Sequence, residues 1–251
     1  MEYLSVPNLP SRRASLVLAD GRMDDEARAG LETLGIKAVY TYPHSALHPA
    51  VGGHPDIMLF HLGGNRMIYA PGTDTRVLAA LEAYGFELIE GATRLSAQYP
   101  GDVAYNVARV GRYAFHNLRH TDRILLDRLE AEGIEPIHVN QGYSKCSISI
   151  VNSNSMITAD RGIERAAARK GLEVLYIGPE TGIRLPGLDY GFIGGSTGLA
   201  GPDIWLVNGN LDRLGQAGMI REFLKARGVR PVSLSSGPVT DVGSILPVCT
   251  G

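Results

Sequence analysis

Residues 14–35, ASLVLADGRMDDEARAGLETLG, decide how the rest of the chain is read. The first half is a strand by composition, an apolar run through Leu16, Val17 and Leu18 that ends on Asp20-Gly21. The second half is a helix. It opens on Asp24 and Asp25, whose carboxylates can accept from free backbone N–H groups. It stops at Gly35, a residue that tolerates the left-handed conformation. No strand precedes this pair, whereas every later helix follows several. The chain therefore starts in the middle of a structural unit.

Four further runs repeat the helix-then-glycine pattern and close at Gly85, Gly133, Gly171 and Gly228. Their apolar residues lie three or four apart, as with Val77, Leu78 and Leu81, or Ile124, Leu125 and Leu129. A β-rich run follows each of the five glycines: IKAVYTY, FELIEG, IEPIHVN, LEVLYIG and VRPVSLS. After a polar loop comes a second strand: DIMLFHL, DVAYNVA, CSISIVN, YGFIGG and DVGSILPV. In four units a tight turn then gives a third strand, NRMIYAP, RYAFHN, SMITAD or DIWLVNG, and the next helix. The spacing is loose, but the order of elements is kept, and order is what defines the repeat. The fifth unit lacks its last strand and helix, which residues 14–35 supply. Residues 14–20 are thus expected alongside the final strand, leaving no unpaired terminal edge. The expected fold class is α/β: a five-bladed α/β-propeller of ββαβ-type repeats closed by the N- and C-terminal segments, with residues 1–251 as a single domain.

Composition narrows the function classes. The net charge is -2 over 251 residues, with no basic block, so no nucleic-acid partner is predicted. No apolar stretch approaches the ~18 residues that span a bilayer, and the N-terminus does not read as a signal peptide. Two cysteines, Cys146 and Cys249, cannot build a disulfide framework, which points to a reducing, cytoplasmic setting. GFIGGSTGLAG, residues 191–201, matches neither the dinucleotide nor the P-loop glycine pattern, and a strand follows it where a phosphate-binding helix should begin. Its glycines suit a hairpin turn or a close backbone approach. No cofactor is expected. His116 and His120 read as surface residues at the start of a helix.

Five such units resemble the pentein superfamily, the guanidino-modifying enzyme fold, in element order over nearly the whole chain. The resemblance implies a central site where the second strands begin. Superposed, the units bring His54, Asp56, Asp102, Lys145, Cys146, Asp189 and Asp241 to that centre. Such a carboxylate-rich cavity favours a small cationic or guanidine-like ligand, whose planar nitrogens pair with carboxylates. The resemblance further implies deiminase or amidinotransferase chemistry: a cysteine attacks the guanidine carbon, a histidine carries protons and carboxylates hold the nitrogens. The superfamily cysteine lies in the fifth unit, in a stretch like Gly-Gly-x-x-Cys-x-Thr. Here Ser236–Gly243 contains none, and the third unit carries Ser144, Lys145 and Cys146 where the superfamily has its histidine.

Two readings follow. In the first the site is rearranged: Cys146 is the nucleophile of a hydrolase or transferase, with its pKa lowered by Lys145, and His54 is the base. Asp56, Asp102, Lys145, Asp189 and Asp241 line the substrate site, while Gln141, Glu180, Arg94 and Arg184 rim it, an Arg there being able to bind a substrate carboxylate. In the second the protein is non-catalytic and binds a small ligand or a protein or ribonucleoprotein partner. A homodimer is compatible with either reading. His44, His48 and His54 share one loop and could ligate a metal, although no metal site is assigned to them.

Overall fold

The computed structural model describes residues 1–179 and 182–251. The first elements are β1 (Glu2–Tyr3), β2 (Ala14–Asp20), α1 (Asp25–Thr33) and β3 (Lys37–Thr41). Next come α2 (Pro55–Met58), β4 (Leu59–Gly63), β5 (Arg66–Tyr69), α3 (Thr75–Ala83) and β6 (Glu87–Glu90). They are followed by β7 (Ala108–Val110), β8 (Tyr113–His116), α4 (Arg123–Ala131) and β9 (Glu135–His138). The next group is α5 (Ser144–Ser147), β10 (Ile148–Asn152), β11 (Ser155–Thr158), α6 (Arg161–Arg169) and β12 (Glu173–Tyr176). The last is β13 (Thr197–Gly201), β14 (Ile204–Val207), α7 (Ala217–Lys225), β15 (Arg230–Ser233) and β16 (Leu246–Thr250).

These strands form five small sheets, giving a mixed α/β fold. Four have three strands each: β4-β5-β6, β7-β8-β9, β10-β11-β12 and β13-β14-β15. In each, the first two strands are an antiparallel hairpin, and the third pairs parallel with the second after a crossover helix. The fifth sheet, β1-β16-β2-β3, contains both ends of the chain. There β16 runs antiparallel to β2, with Leu246 opposite Leu18 and Thr250 opposite Ala14. Residues 14–20 thus lie alongside the final strand. Strand β1 was not foreseen; it covers the other edge of β16.

Local chemistry accounts for the crossover helices. Asp24, Asp122 and Asp160 accept from the backbone N–H of Ala27, Leu125 and Ile163 at 2.8, 3.0 and 2.9 Å, capping α1, α4 and α6. Gly35, Gly85, Gly133, Gly171 and Gly228 stop all five helices, with φ between 68° and 84°. One apolar stripe faces each sheet: Ala27 and Leu31, Val77 and Leu81, Leu125 and Leu129, Ile163 and Ala167, Ile220 and Leu224 are all buried.

Three sequence expectations need correction. The second strand of the fourth unit is TGLAG, not YGFIGG. Residues 190–195 are an extended, turn-rich lead because the backbone must pass close to its neighbours. A Cβ at Gly194 would collide with the carbonyls of Lys145 and Ile148, and one at Gly195 with the Asp241 carboxylate. In the second unit the strand is Ala108–Val110, which shares only Ala108 with the expected run DVAYNVA. His116 is fully buried rather than exposed: its Nδ1 meets the Thr121 hydroxyl at 2.7 Å and its Nε2 the Gly142 carbonyl at 2.8 Å.

Two outcomes are expected in solution. Asp122 is buried and also accepts from the backbone N–H groups of Ala92 and Thr93, at 2.9 and 2.7 Å. Asp122→Ala should therefore cost about 3–4 kcal/mol in urea unfolding, against about 1 kcal/mol for Asp24→Ala, which loses a cap alone. Burial pushes His116 down from 6.5 to about 4. Between those values the unfolded chain binds the extra proton, so stability is present above pH 6.5 and is lost as pH falls towards 4. Removing this titration with His116→Gln should flatten the fall by about 3 kcal/mol at most.

Candidate active site

The site is assembled from short polar segments just ahead of the hairpin strands. Pro55 opens α2, a single turn whose next residue is Asp56, and His54 is its N-cap residue. The turn α5 likewise presents Lys145 and Cys146 ahead of β10. The segment from Asp241 to Ser244 precedes β16. All six side chains are buried.

Asp56 is the centre of the network. The Cys146 thiol donates to its two oxygens, with Sγ 3.3 and 3.2 Å away. The Ser244 hydroxyl donates to Asp56 Oδ2 at 2.7 Å, and Lys145 Nζ donates in turn to that hydroxyl at 2.8 Å. The buried ammonium of Lys145 is thus linked through Ser244 to a buried carboxylate. Asn106 locks the arrangement. Its Oδ1 accepts from the backbone N–H of Lys145 and of Cys146, while its Nδ2 donates to the Asp56 carbonyl and to Cys146 Sγ.

Asp241 is the second carboxylate. Its oxygens accept from the backbone N–H of Gly243 at 3.0 Å and of Phe192 at 2.9 Å. His54 Nδ1 lies 3.8 Å from Asp241 Oδ1. Neither ring nitrogen of His54 has a hydrogen-bond partner, although the ring is 1% exposed. A buried imidazole with both nitrogens free is ready to exchange protons or to take a ligand. Ligand atoms of His54, Asp56 and Cys146 lie within 4.8 Å of one another, and among the described residues this is the group that could hold a metal ion. An N, O, S donor set of that kind suits zinc.

His54, Cys146 and Asp241 open on one cavity of about 350 Å³. Its walls include Tyr99, Tyr143, Phe192 and Tyr190, whose rings follow one another at centroid distances of 5.9, 6.0 and 5.5 Å. Asp102 lies behind this wall, buried, and accepts from the Tyr143 hydroxyl. Burial raises the carboxyls of Asp102 and Asp241 above the usual range. It also raises the Cys146 thiol well above its ordinary value, reinforced by the charges of Asp56 and Asp241. Any lowering of the thiol pKa by Lys145 is therefore outweighed by burial and the two carboxylates. The ammonium points to Ser244, on the side lined by Asn8 and Pro247, and burial lowers its own pKa.

The remaining residues read from sequence are dispersed. Asp189 does not begin a strand; it is exposed, eight residues before β13, at the cavity mouth. Gln141 lines the cavity. Arg94 is exposed and does not line it, and Arg184 lines an adjoining, more open depression that shares Leu185, Leu188, Asp189 and Tyr190 with the cavity. Glu180 lies outside the described residues. The loop histidines do not converge: His44 Nε2 meets the Pro71 carbonyl at 3.1 Å, His48 is exposed, and only His54 reaches the centre. Cys249 lies within β16, packed in the core, and burial pushes its thiol up to about 11. Asn106 and Ser244 were missed from sequence, yet each lies two residues before its strand, as Cys146 does.

Residues 18–246 match the family model of DUF6873, described as a family of unknown function. The chain belongs to DUF6873. No curated protein matches the sequence. Solved structures do. The inosamine-phosphate amidinotransferase StrB1 from Streptomyces griseus is 16% identical over 99% of this chain and 97% of its own, with a TM-score of 0.60. SxtG, an amidinotransferase from Microseira wollei in the saxitoxin biosynthetic pathway, is 13% identical over 93% and 91%, with a TM-score of 0.59. The C. jejuni agmatine deiminase is 10% identical over 95% and 94%, with a TM-score of 0.55. These are pentein superfamily proteins, so this DUF6873 chain has the pentein fold.

Cys146 should behave as a shielded thiol. Neutral iodoacetamide should alkylate it at pH 7 at least tenfold more slowly than a free thiol, with the rate still rising beyond pH 9. Mass spectrometry of the modified peptide measures this.

Proposed function

We propose that the protein is a hydrolase or transferase acting on a guanidinium- or amidinium-bearing small molecule, with Cys146 as nucleophile and His54 as proton carrier. The observation that carries this reading is that Cys146, His54 and Asp241 open on one cavity, with both His54 nitrogens unpartnered. The site works as the centre of a five-bladed α/β-propeller, residues 1–251 acting as one domain. Two free, buried cysteines suit a cytoplasmic setting.

In this mechanism the cation enters against Asp241, with Asp189 at the mouth. Its positive charge offsets the carboxylates that keep the thiol protonated, so the substrate itself activates the nucleophile. The thiol proton passes to His54 and sulfur attacks the central carbon. The tetrahedral adduct expels an amine, which takes the proton from His54, and leaves an amidino group on Cys146. Water or an acceptor amine then attacks this carbon and gives a proton to His54. The carbon–sulfur bond breaks, and the thiolate recovers that proton. Water as the attacking group makes the protein a hydrolase; an amine makes it a transferase.

The protonated thiol, held between Asp56 and Asn106, supports a second reading, in which Cys146 is a structural donor and the cavity binds a ligand without turnover. Chloroacetamidine separates the two. Under the enzymatic reading this cationic amidine alkylates Cys146 at pH 7 at least tenfold faster than iodoacetamide, and both His54→Ala and Asp241→Asn remove most of that preference. Equal rates for the charged and neutral reagents would sink the mechanism.

A further inference from the structure

The Cys146 cavity does not end at its own wall. Gln141, Tyr190 and Phe192 are shared with a second cavity of about 400 Å³, otherwise walled largely by Ala159, Pro179 and Ile193. The two spaces together are far larger than a guanidinium group. Their surroundings are also lopsided in charge. Asp189 and Asp241 line the first cavity and Asp160 the second, yet among the described residues no Lys or Arg lines either. Arg184 lines neither; it stands in an adjoining, more open depression that shares Leu185, Leu188, Asp189 and Tyr190 with the first cavity, and Lys145 is committed to Ser244. A third observation concerns exposed apolar surface. Of the six large hydrophobic residues left exposed among the described residues, Tyr99, Leu188 and Tyr190 all belong to the wall of the Cys146 cavity.

We infer that the ligand is a guanidinium or amidinium that carries no carboxylate and bears an extended, mostly apolar arm running along Tyr190 and Phe192 into the second cavity. This rests on the reading of the first cavity as a guanidine site. An α-amino acid would bring a carboxylate into a space that holds carboxylates and no cationic partner, at a cost in repulsion and lost hydration. An apolar arm instead covers the Tyr190 and Phe192 rings that otherwise face water, while the cationic head is held by Asp241. Gln141, Ser147 and Asp160 leave the second cavity able to hydrogen-bond one or two polar groups on the arm.

Calorimetric titration of the Cys146→Ser protein with ethyl-, butyl- and hexylguanidine and with L-arginine tests this without depending on the nucleophile. Affinity should rise about threefold per added methylene from butyl to hexyl. L-Arginine should bind at least tenfold more weakly than hexylguanidine. Tyr190→Ser, at an exposed position, should flatten the dependence on chain length while sparing ethylguanidine. Arginine binding as tightly as hexylguanidine, or affinity indifferent to chain length, would overturn the inference, as would loss of arginine binding on Arg184→Ala, which would locate a carboxylate at the mouth. Absence of binding by all four overturns it too. The wild-type labelling experiment stands apart: a failed chain-length series with fast amidine labelling leaves the catalytic reading intact, and an intact series with slow labelling leaves only a binding protein.

Discussion

Residues 246–250 hydrogen-bond to residues 14–18 as antiparallel neighbours, and that pairing brings Asp241 and Ser244 to His54 and Asp56. The segment that leads into β16 carries Asp241, Gly243 and Ser244, and the segment that follows β3 carries His54 and Asp56. Registering β16 against β2 forces these two segments together. The fit is close enough that a Cβ at Gly243 would collide with His54, and Ser244 itself is held at a φ of 73°, a conformation that a residue other than glycine adopts at a cost. That strain is compensated by what the Ser244 hydroxyl reaches: Lys145, Asp56 and the Gly194 carbonyl.

Such a centre has to solve an electrostatic problem. Asp56, Asp241 and Lys145 are all buried, so the described core holds more carboxylate than ammonium. A bare buried charge would be prohibitive, and the protein meets this by hydrogen bonds: Asp56 receives a thiol and a hydroxyl, and Asp241 receives two backbone N–H groups. Burial also raises the Asp241 carboxyl and the Cys146 thiol, because it disfavours the anionic form of each. The same physics makes the site responsive. A cation entering beside Asp241 relieves the charge imbalance and favours the ionised forms, so binding and activation of the thiol become one event.

What could be read from sequence was whatever depends on local chemistry. Asp24 at a cap and Gly35 at a stop work through neighbours a few residues away, and the helices fell where expected. The pairing of residues 14–20 with the final strand was legible because an incomplete unit at each end has one economical completion. TGLAG was not legible as a strand. Nothing in its composition favours extension, and Gly198 is required by the nearby Ile245 carbonyl, a contact between different sheets. At the site, His54, Asp56, Cys146 and Asp241 were brought together correctly, but Asp189 was included because aspartates were counted from the loops. Counting back from the first residue of each hairpin strand finds Asp56 and Lys145 at three, and Asn106, Cys146 and Ser244 at two. The direction of Lys145 could not be read, because it depends on one helical turn whose orientation is set by Asn106.

Fold likeness at 10–16% identity carries the architecture and leaves the chemistry to this chain's own residues. The residues expected from the superfamily pattern are absent from their places: the fifth unit offers Asp241 where a cysteine is the rule, and the third offers Cys146 where a histidine is. Yet a thiol, an imidazole and two carboxylates still meet at the centre, drawn from the first, third and fifth units. Repeated similar units make this exchange physically easy, since several deliver a side chain to the same small volume from different directions. On the proposed reading, such an exchange alters the direction from which the nucleophile approaches: Cys146 would enter from the third unit, and the bulk of a substrate would lie towards the second cavity, which shares Gln141 and Phe192 with the first.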